Sequence, residues 1–325
     1  MRITNNMLTS NFLSDMQNNL QNMQKIQQQM TSGKVISKAS DDPFIAARSM
    51  QLNTQLDANN QYNSNIKDAS NWLSTTDTTL GQVGNALSRI NELLVSTGNA
   101  GFSDNERQSV KDEINQVISG LSQTLNTNFD GKYIFGGSRA TTKPLAAVTD
   151  SNGNTKLDYN ASSAELNMID KKLYTEISQG VTIDYSVSAQ DVLEYKNGDS
   201  TEDLRNLLQN IVNHLDGKNA DGSTPAEGST SPISLLTTDD LAGIQAAANN
   251  VLKLRSEVGA KENRMKDALD NNTTESQNLT TILSKTEDID ITQKTMEYAT
   301  AQTVYLASLQ TSARVIQPTL LDYLR

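Results

Sequence analysis

Residues 43–98 read PFIAARSMQLNTQLDANNQYNSNIKDASNWLSTTDTTLGQVGNALSRINELLVSTG. Within this stretch Ile45, Leu52, Asn59, Ile66, Leu73, Leu80, Leu87 and Leu94 recur every seven residues, and a partial second row runs through Tyr62, Ala69, Val83 and Ile90. Sevens sustained over this length predict a bundle or coiled-coil helix. As one helix the span is about 75 Å at 1.5 Å per residue, so its apolar seam needs an equally long partner. Asn59 is the polar member of the row, either a residue that fixes the register of the seam or a local irregularity. Gly81 and Gly84 each cost about 1 kcal/mol relative to alanine inside a helix, which predicts a bend or a close helix contact there. Just upstream, Asp41 or Asp42 stands as N-cap, with Pro43 in the first turn.

Toward the N-terminus, Thr4–Met30 is rich in Asn, Gln, Ser and Thr, with Phe12, Met16, Leu20, Met23, Ile26 and Met30 three or four residues apart. That is a polar helix with a narrow apolar stripe, which suits a coiled-coil seam, and it breaks at Thr31-Ser32-Gly33. On the other side of the long helix, Ser103 with Glu106 forms a capping box. It opens a helix whose apolar face is Val110, Ile114, Val117, Leu121 and Leu125, predicted to fold back as an antiparallel hairpin.

The helical period lapses after Asn128, at Tyr133-Ile134-Phe135 and Gly136-Gly137. Val181, Ile183, Tyr185 and Val187 alternate with polar residues as a half-buried strand does, and Asn152-Gly153 and Asn197-Gly198 are hairpin turn signals. Residues 217–232 are a Gly, Ser and Pro-rich loop. From about Thr238 the sevens return at Ile244, Val251, Val258, Met265 and Leu279, then at Ile291, Tyr298 and Tyr305, followed by Leu309 and Ile316 before Pro318. The expected fold is mainly α with an inserted β-rich domain, a long antiparallel coiled-coil-like bundle built from both chain termini. Its expected parts are a terminal helical assembly domain (1–40 and 290–325), a helical bundle domain (41–135 and 236–289) and the β-rich outer insert (136–235).

Composition narrows the function. Only 36% of the 325 residues are hydrophobic and 5% aromatic, so the interior is thin, as in bundles and small sheets. A net charge of −11 with no clustered Lys and Arg argues against a nucleic-acid partner. No stretch approaches the roughly 18 apolar residues of a membrane span, and MRITNNMLTSNF lacks the apolar core of a cleavable signal peptide. Without cysteine there is no disulfide, thiolate catalysis or Cys-ligated metal. His214 is the only histidine. Spacing alone leaves a Ser-His-Asp arrangement open, but a surface or helix-end histidine is the stronger reading. Asp41-Asp42 could pair on a metal, yet capping explains them; Glu287, Asp288 and Asp290 read as a solvated face or a helix start. Neither an enzyme nor a cofactor is expected.

Three stretches resemble the bacterial flagellin family: MTSGKVISKASDDPFIAARSM at Met30–Met50, the helix closing SRINELLVSTGN with Arg89, Glu92 and Leu93, and Val258–Arg325 with VGAKENRM, TEDIDITQ and LQTSARVIQPTLLDYLR. Ser40-Asp41-Asp42-Pro43 stands where filament members commonly have Asp-Asp-Ala. Together with Tyr133–Gly137 and Leu320-Leu321-Asp322-Tyr323-Leu324, it is similar to members at the hook-filament junction, whereas Arg325 is filament-like. The resemblance implies an extracellular structural subunit of the flagellum, exported by the type III apparatus with a cytoplasmic chaperone. It also implies assembly as a ring of copies between the first hook-associated protein and flagellin. Phe12, Met16, Leu20 and Met23, with Leu309, Ile316, Leu320 and Leu324, are the expected subunit contacts. The alternatives are a filament flagellin, an intracellular helical scaffold, or terminal residues that merely close a monomeric bundle.

Overall fold

The computed structural model describes residues 5–97, 103–150, 153–197, 200–225 and 231–315. In chain order the elements are α1 (Asn5–Ser32), α2 (Pro43–Thr97), α3 (Asp104–Leu125), β1 (Asn128–Phe129), β2 (Lys132–Tyr133), β3 (Leu145–Thr149), β4 (Thr155–Tyr159), α4 (Ser163–Ile169), β5 (Tyr174–Ser178) and β6 (Val181–Asp184). There follow α5 (Ala189–Leu193), β7 (Glu194–Asn197), β8 (Ser200–Asp203), α6 (Leu204–Leu215), α7 (Pro232–Leu235), α8 (Asp239–Glu287) and α9 (Ile291–Val315). Internal contacts divide the chain into two compact units, Met1–Asn60 with Thr274–Arg325, and Gln61–Thr273.

In the unit of Gln61–Thr273, the seven-residue row of α2 is the spine of the core. Ile66, Leu73, Leu80, Leu87 and Leu94 are all buried, as are Ile244, Val251, Val258 and Met265 of the matching row on α8. The two helices run antiparallel, with Arg255 gripping Asp77 through Nε–Oδ1 (2.9 Å) and Nη2–Oδ2 (3.1 Å). Gly81 and Gly84 face this partner, but an added Cβ would lie 3.7 Å from the Arg255 guanidinium and 3.9 Å from Val251. Those are ordinary contacts, so the glycines mark a helix contact without being sterically required.

The capping box of α3 is formed: Ser103 Oγ accepts from the Glu106 amide at 3.4 Å, and Glu106 Oε2 accepts from the Ser103 amide at 2.7 Å. Arg89 of α2 pairs with Glu113 of α3 at 2.6 Å, as an antiparallel hairpin requires. The buried face of α3 is Val110, Ile114, Ile118, Leu121 and Leu125; Val117, expected at its centre, is only partly buried. Residues 117 and 118 are both apolar and both one turn from their neighbours, so the 3.6-residue period alone cannot choose between them.

Segment 136–235 mixes hairpins and helices. Among the described residues every strand belongs to a two-stranded antiparallel hairpin. Such hairpins are marginal alone and need a surface to pack on. They find it in the helices, because Leu145, Leu157, Ile177, Ile183 and Tyr195 share one continuous core with α2, α3, α6 and α8. The strand expected at 181–187 stops at Asp184; Ile183 and Val187 are buried, Tyr185 is partly buried and Val181 is exposed. Gly153 takes φ +80°, and Asn197 pairs with Ser200 across the β7–β8 turn, while Asn152 and Gly198 lie outside the described residues. Helix α6, LRNLLQNIVNHL, is a helix within this segment that the strand and turn signals do not announce.

The Tyr133–Gly137 motif is explained by packing. Ile134 and Phe135 are fully buried, and Gly137 has φ +54° with the Ile169 carbonyl oxygen 2.1 Å from where a Cβ would stand. Gly137→Ala therefore meets both a strained φ and a backbone clash, and is expected to cost about 3 kcal/mol or more. Gly120, by contrast, lies on the exposed side of α3 with nothing within 4 Å of an added Cβ. Gly120→Ala should stabilise by roughly 0.5–1 kcal/mol through helix propensity. Urea melts of both variants check this: equal shifts, or shifts of the reverse sign, would contradict the packing assigned to each glycine.

Candidate assembly site at the paired chain ends

In the unit of Met1–Asn60 with Thr274–Arg325, α1 packs along α9. The two run antiparallel, because the chain just after α1 is bridged to the chain just before α9 at Lys34 and Asp288. The covered side of α1 carries Phe12, Met16, Asn19, Met23, Ile26, Gln29 and Met30; that of α9 carries Lys294, Glu297, Tyr298, Ala301, Tyr305, Ser308 and Ser312. Both sets follow helical spacing; that of α1 includes the polar Asn19 and Gln29, and that of α9 the polar Lys294, Glu297, Ser308 and Ser312. Among the described residues no apolar side chain of either helix is buried, while the polar Gln29 and Ser312 are largely so.

The expected contact residues sort into two groups. Phe12, Met16 and Met23 are half-buried on the covered side of α1. Leu20 stays 37% and Leu309 40% exposed, and Leu13, Val304 and Leu306 also face outward. Ile316, Leu320 and Leu324 lie outside the described residues. One helix pair thus buries only part of the apolar surface it carries.

The connection between the helices is built in detail. Gly33, with φ +71°, ends α1. Its carbonyl accepts from the Ile289 amide at 3.1 Å, while the Val35 amide donates to the Glu287 carbonyl at 2.6 Å. Lys34 Nζ lies 2.8 Å from both Glu287 Oε2 and Asp288 Oδ1. Hydrogen bonds from Lys34 and Ser284 hold the Asp288 carboxyl below its ordinary range, and Asp288 and Glu287 raise Lys34. The buried Gln29 donates Nε2–H to the Val35 carbonyl at 2.6 Å. Lys34 is 42% exposed, so its ion pairs add at most about 1 kcal/mol. Their role is to specify which two backbones meet. Glu287 and Asp288 are therefore not simply a solvated face, for they hold a lysine from the opposite end of the chain. Asp290 is a helix cap, its Oδ1 accepting from the Thr292 and Gln293 amides at 2.9 and 3.2 Å.

The other motif residues have separate tasks. Asp42 caps α2, accepting from the Phe44 and Ile45 amides at 3.0 and 3.1 Å, whereas Asp41 accepts from the Ser37 and Lys38 amides and holds the preceding turn. The two carboxylates serve different backbones beside an exposed Ser40, and among the described residues no acidic or His cluster is arranged for a metal ion. Arg89 bridges Glu92 and Glu113, and Leu93 is buried in the core. His214 corrects the expectation of a surface residue: it ends α6 but is buried, with Nδ1 2.5 Å from Oδ2 of the buried Asp240. Burial pushes the Asp240 carboxyl up. Among the described residues no hydroxyl reaches His214 Nε2.

The comparisons with known proteins fall on the same two ends. Residues 3–140 match the bacterial flagellin N-terminal helical region, and residues 241–324 match the bacterial flagellin C-terminal helical region. Flagellar hook-associated protein 3 of Salmonella typhimurium is 26% identical over 319 residues, covering 96% of each chain. Flagellin of Bacillus subtilis is 26% identical over 302 residues, covering 92% of this chain and 90% of its own. Among solved structures, flagellar hook-associated protein 3 of Legionella pneumophila superimposes with a TM-score of 0.59 at 15% identity, over 73% of this chain and 98% of its own. With the helical regions of both ends matched in order, and relatives aligned over nearly their whole length, the chain belongs to the bacterial flagellin family.

Proposed function

We propose that this chain is a structural subunit of the bacterial flagellum that joins hook to filament. It is exported by the flagellar type III apparatus with a chaperone and assembles outside the cell through its terminal helices. Residues 1–40 and 290–325 are the assembly domain in this reading, 41–135 with 236–289 the supporting bundle, and 136–235 the outward part. The partners are copies of itself in a ring, flagellin on one side and the first hook-associated protein on the other. The observation that carries the reading is the pair α1 and α9, whose apolar side chains are nowhere fully buried among the described residues. Two helices that leave their apolar flanks open gain stability when neighbouring subunits cover them. The match over 96% of both chains to hook-associated protein 3 supports the junction position.

A second reading, filament flagellin, rests on the equal 26% identity to the Bacillus subtilis protein. Immunogold labelling of purified flagella separates the two. One labelled zone at the distal end of the hook supports the junction, label along the whole filament supports flagellin, and unlabelled flagella refute both.

In the isolated subunit, the amides of α1 and α9 should exchange far faster than those of Ile66–Leu94 in α2, because so little of the terminal pair is buried. Hydrogen exchange on a verified monomer measures this, and equal protection of the two regions would overturn the assembly argument.

Leu20→Asp combined with Leu309→Asp tests the same surface in cells. Both side chains are already exposed in the single chain, so helicity and melting should be nearly unchanged. In a dry subunit contact, each carboxylate costs several kcal/mol in lost burial and desolvation, on the order of 3 kcal/mol or more. Cells carrying only this variant are therefore expected to shed flagellin into the medium and lose motility. Normal filaments would show that the contact surface lies elsewhere.

A further inference from the structure

The β5–β6 hairpin is fastened to both long helices of its unit through its own backbone. Its register shifts between Glu176 and Ser178, leaving Ile177 as the extra residue of a bulge. A bulge takes carbonyls out of the ladder, and two of them here are met by side-chain amides from opposite helices. Asn65 of α2 donates Nδ2–H to the Glu176 carbonyl at 3.1 Å, and Asn272 of α8 donates to the Ile177 carbonyl at 2.8 Å. The Glu176 side chain closes the tip by accepting from the Gly180 amide at 2.8 Å. The hairpin's other end is held by Lys261 of α8, whose Nζ lies 2.5 Å from Asp184 Oδ2, and by Tyr185, which stands edge-on to Trp72 of α2.

Asn272 occupies the position on α8 where the seven-residue row Ile244, Val251, Val258, Met265 calls for an apolar side chain, and it is buried. A buried amide there is costly unless its hydrogen bonds are made, and this one is directed at the hairpin. Asn65 stands beside the seam residue Ile66 on the facing helix. The Ile177 side chain enters the same core, so the hairpin adds apolar burial as well as accepting two hydrogen bonds from side-chain amides.

We infer that the β5–β6 hairpin is a strap that ties α2 to α8, with Asn65 and Asn272 as a single two-sided clasp on its bulge. A two-stranded hairpin is marginal by itself, so the clasp folds the hairpin. In return the hairpin bridges the two helices where this unit ends. Strap and flanking helix segments therefore open together, as one local unit, below the stability of the rest of the core.

Hydrogen exchange on the full chain tests this with Asn272→Leu, Asn65→Leu and the double variant. Leucine keeps each helix face apolar while removing the donor. Either single change is expected to lower protection at least tenfold in three places: the β5–β6 amides, residues 62–69 of α2 and residues 265–272 of α8. The amides of α3 and α6 should stay unchanged. The double variant should lose little more than either single one, since removing one half opens the clasp. Loss confined to the hairpin would make it a passenger and overturn the inference. So would additive losses from the two asparagines, unchanged exchange, or a uniform loss across the whole unit. Asn71→Leu, on the exposed side of α2, serves as the control and should alter none of these segments.

Discussion

Everything in this chain depends on one seam, the seven-residue apolar row of α2 buried against the matching row of α8. Ile66, Leu73, Leu80 and Leu87 are fully buried only because Ile244, Val251 and Val258 arrive from the far end of the sequence. A helix carrying such a row cannot remain exposed, and no partner nearby in sequence has the length to cover it. Pairing the seam brings together residues far apart in the chain, such as Asp77 with Arg255, before any terminal contact is considered. The hairpins are then possible as well, since they are too small to fold unaided and need the surface that the seam creates.

The same helical period has a different consequence at the ends. In α2 the row is leucine and isoleucine; in α1 the stripe is methionine, phenylalanine and a buried glutamine, and in α9 it is tyrosine, alanine and serine. Burial of apolar area stabilises by about 25 cal/mol per Å², so stripes interrupted by polar residues and only half buried contribute only a fraction of what the seam does. Specific backbone bonds between Gly33–Val35 and Glu287–Ile289 pair the ends in one register. Pairing is thus well specified while burial is slight, a combination suited to helices that wait for further neighbours.

What could be read in the sequence was what local chemistry determines. The seam, the Ser103–Glu106 capping box, the helix start at Asp42-Pro43 and the antiparallel hairpin of α2 and α3 each rest on residues within a turn or on a repeated period. The partner of Glu287 and Asp288 could not be read, because Lys34 is 254 residues away from Asp288 and nothing in either neighbourhood points to the other. Asp240 likewise reaches His214 only once α6 has packed on the start of α8; the sequence suggests a surface or helix-end histidine, and this one stands in the last turn of α6 but is buried. Helix α6 has a legible period that its surroundings obscure. Leu204, Leu207, Leu208, Ile211, Val212 and Leu215 keep helical spacing, but they follow two hairpin-like strands and precede a Gly and Ser-rich loop. Leu20 and Leu309 can be placed on α1 and α9 by period, yet the period alone does not say that they face outward.

The motifs that mark the family in this sequence are, on inspection, devices of folding. Asp42 caps a helix, Asp41 holds a turn, Arg89 joins α2 to α3, Leu93 fills the core, and Gly137 permits a backbone approach that no side chain would allow. Residues occupied in this way are not free to choose partners. Leu13, Leu20, Val304, Leu306 and Leu309 stand apart from these motifs, exposed on the outward flanks of α1 and α9. Two members of one family can therefore share every folding device and still differ in the surfaces they present, because the devices fix the fold and leave the flanks free to vary.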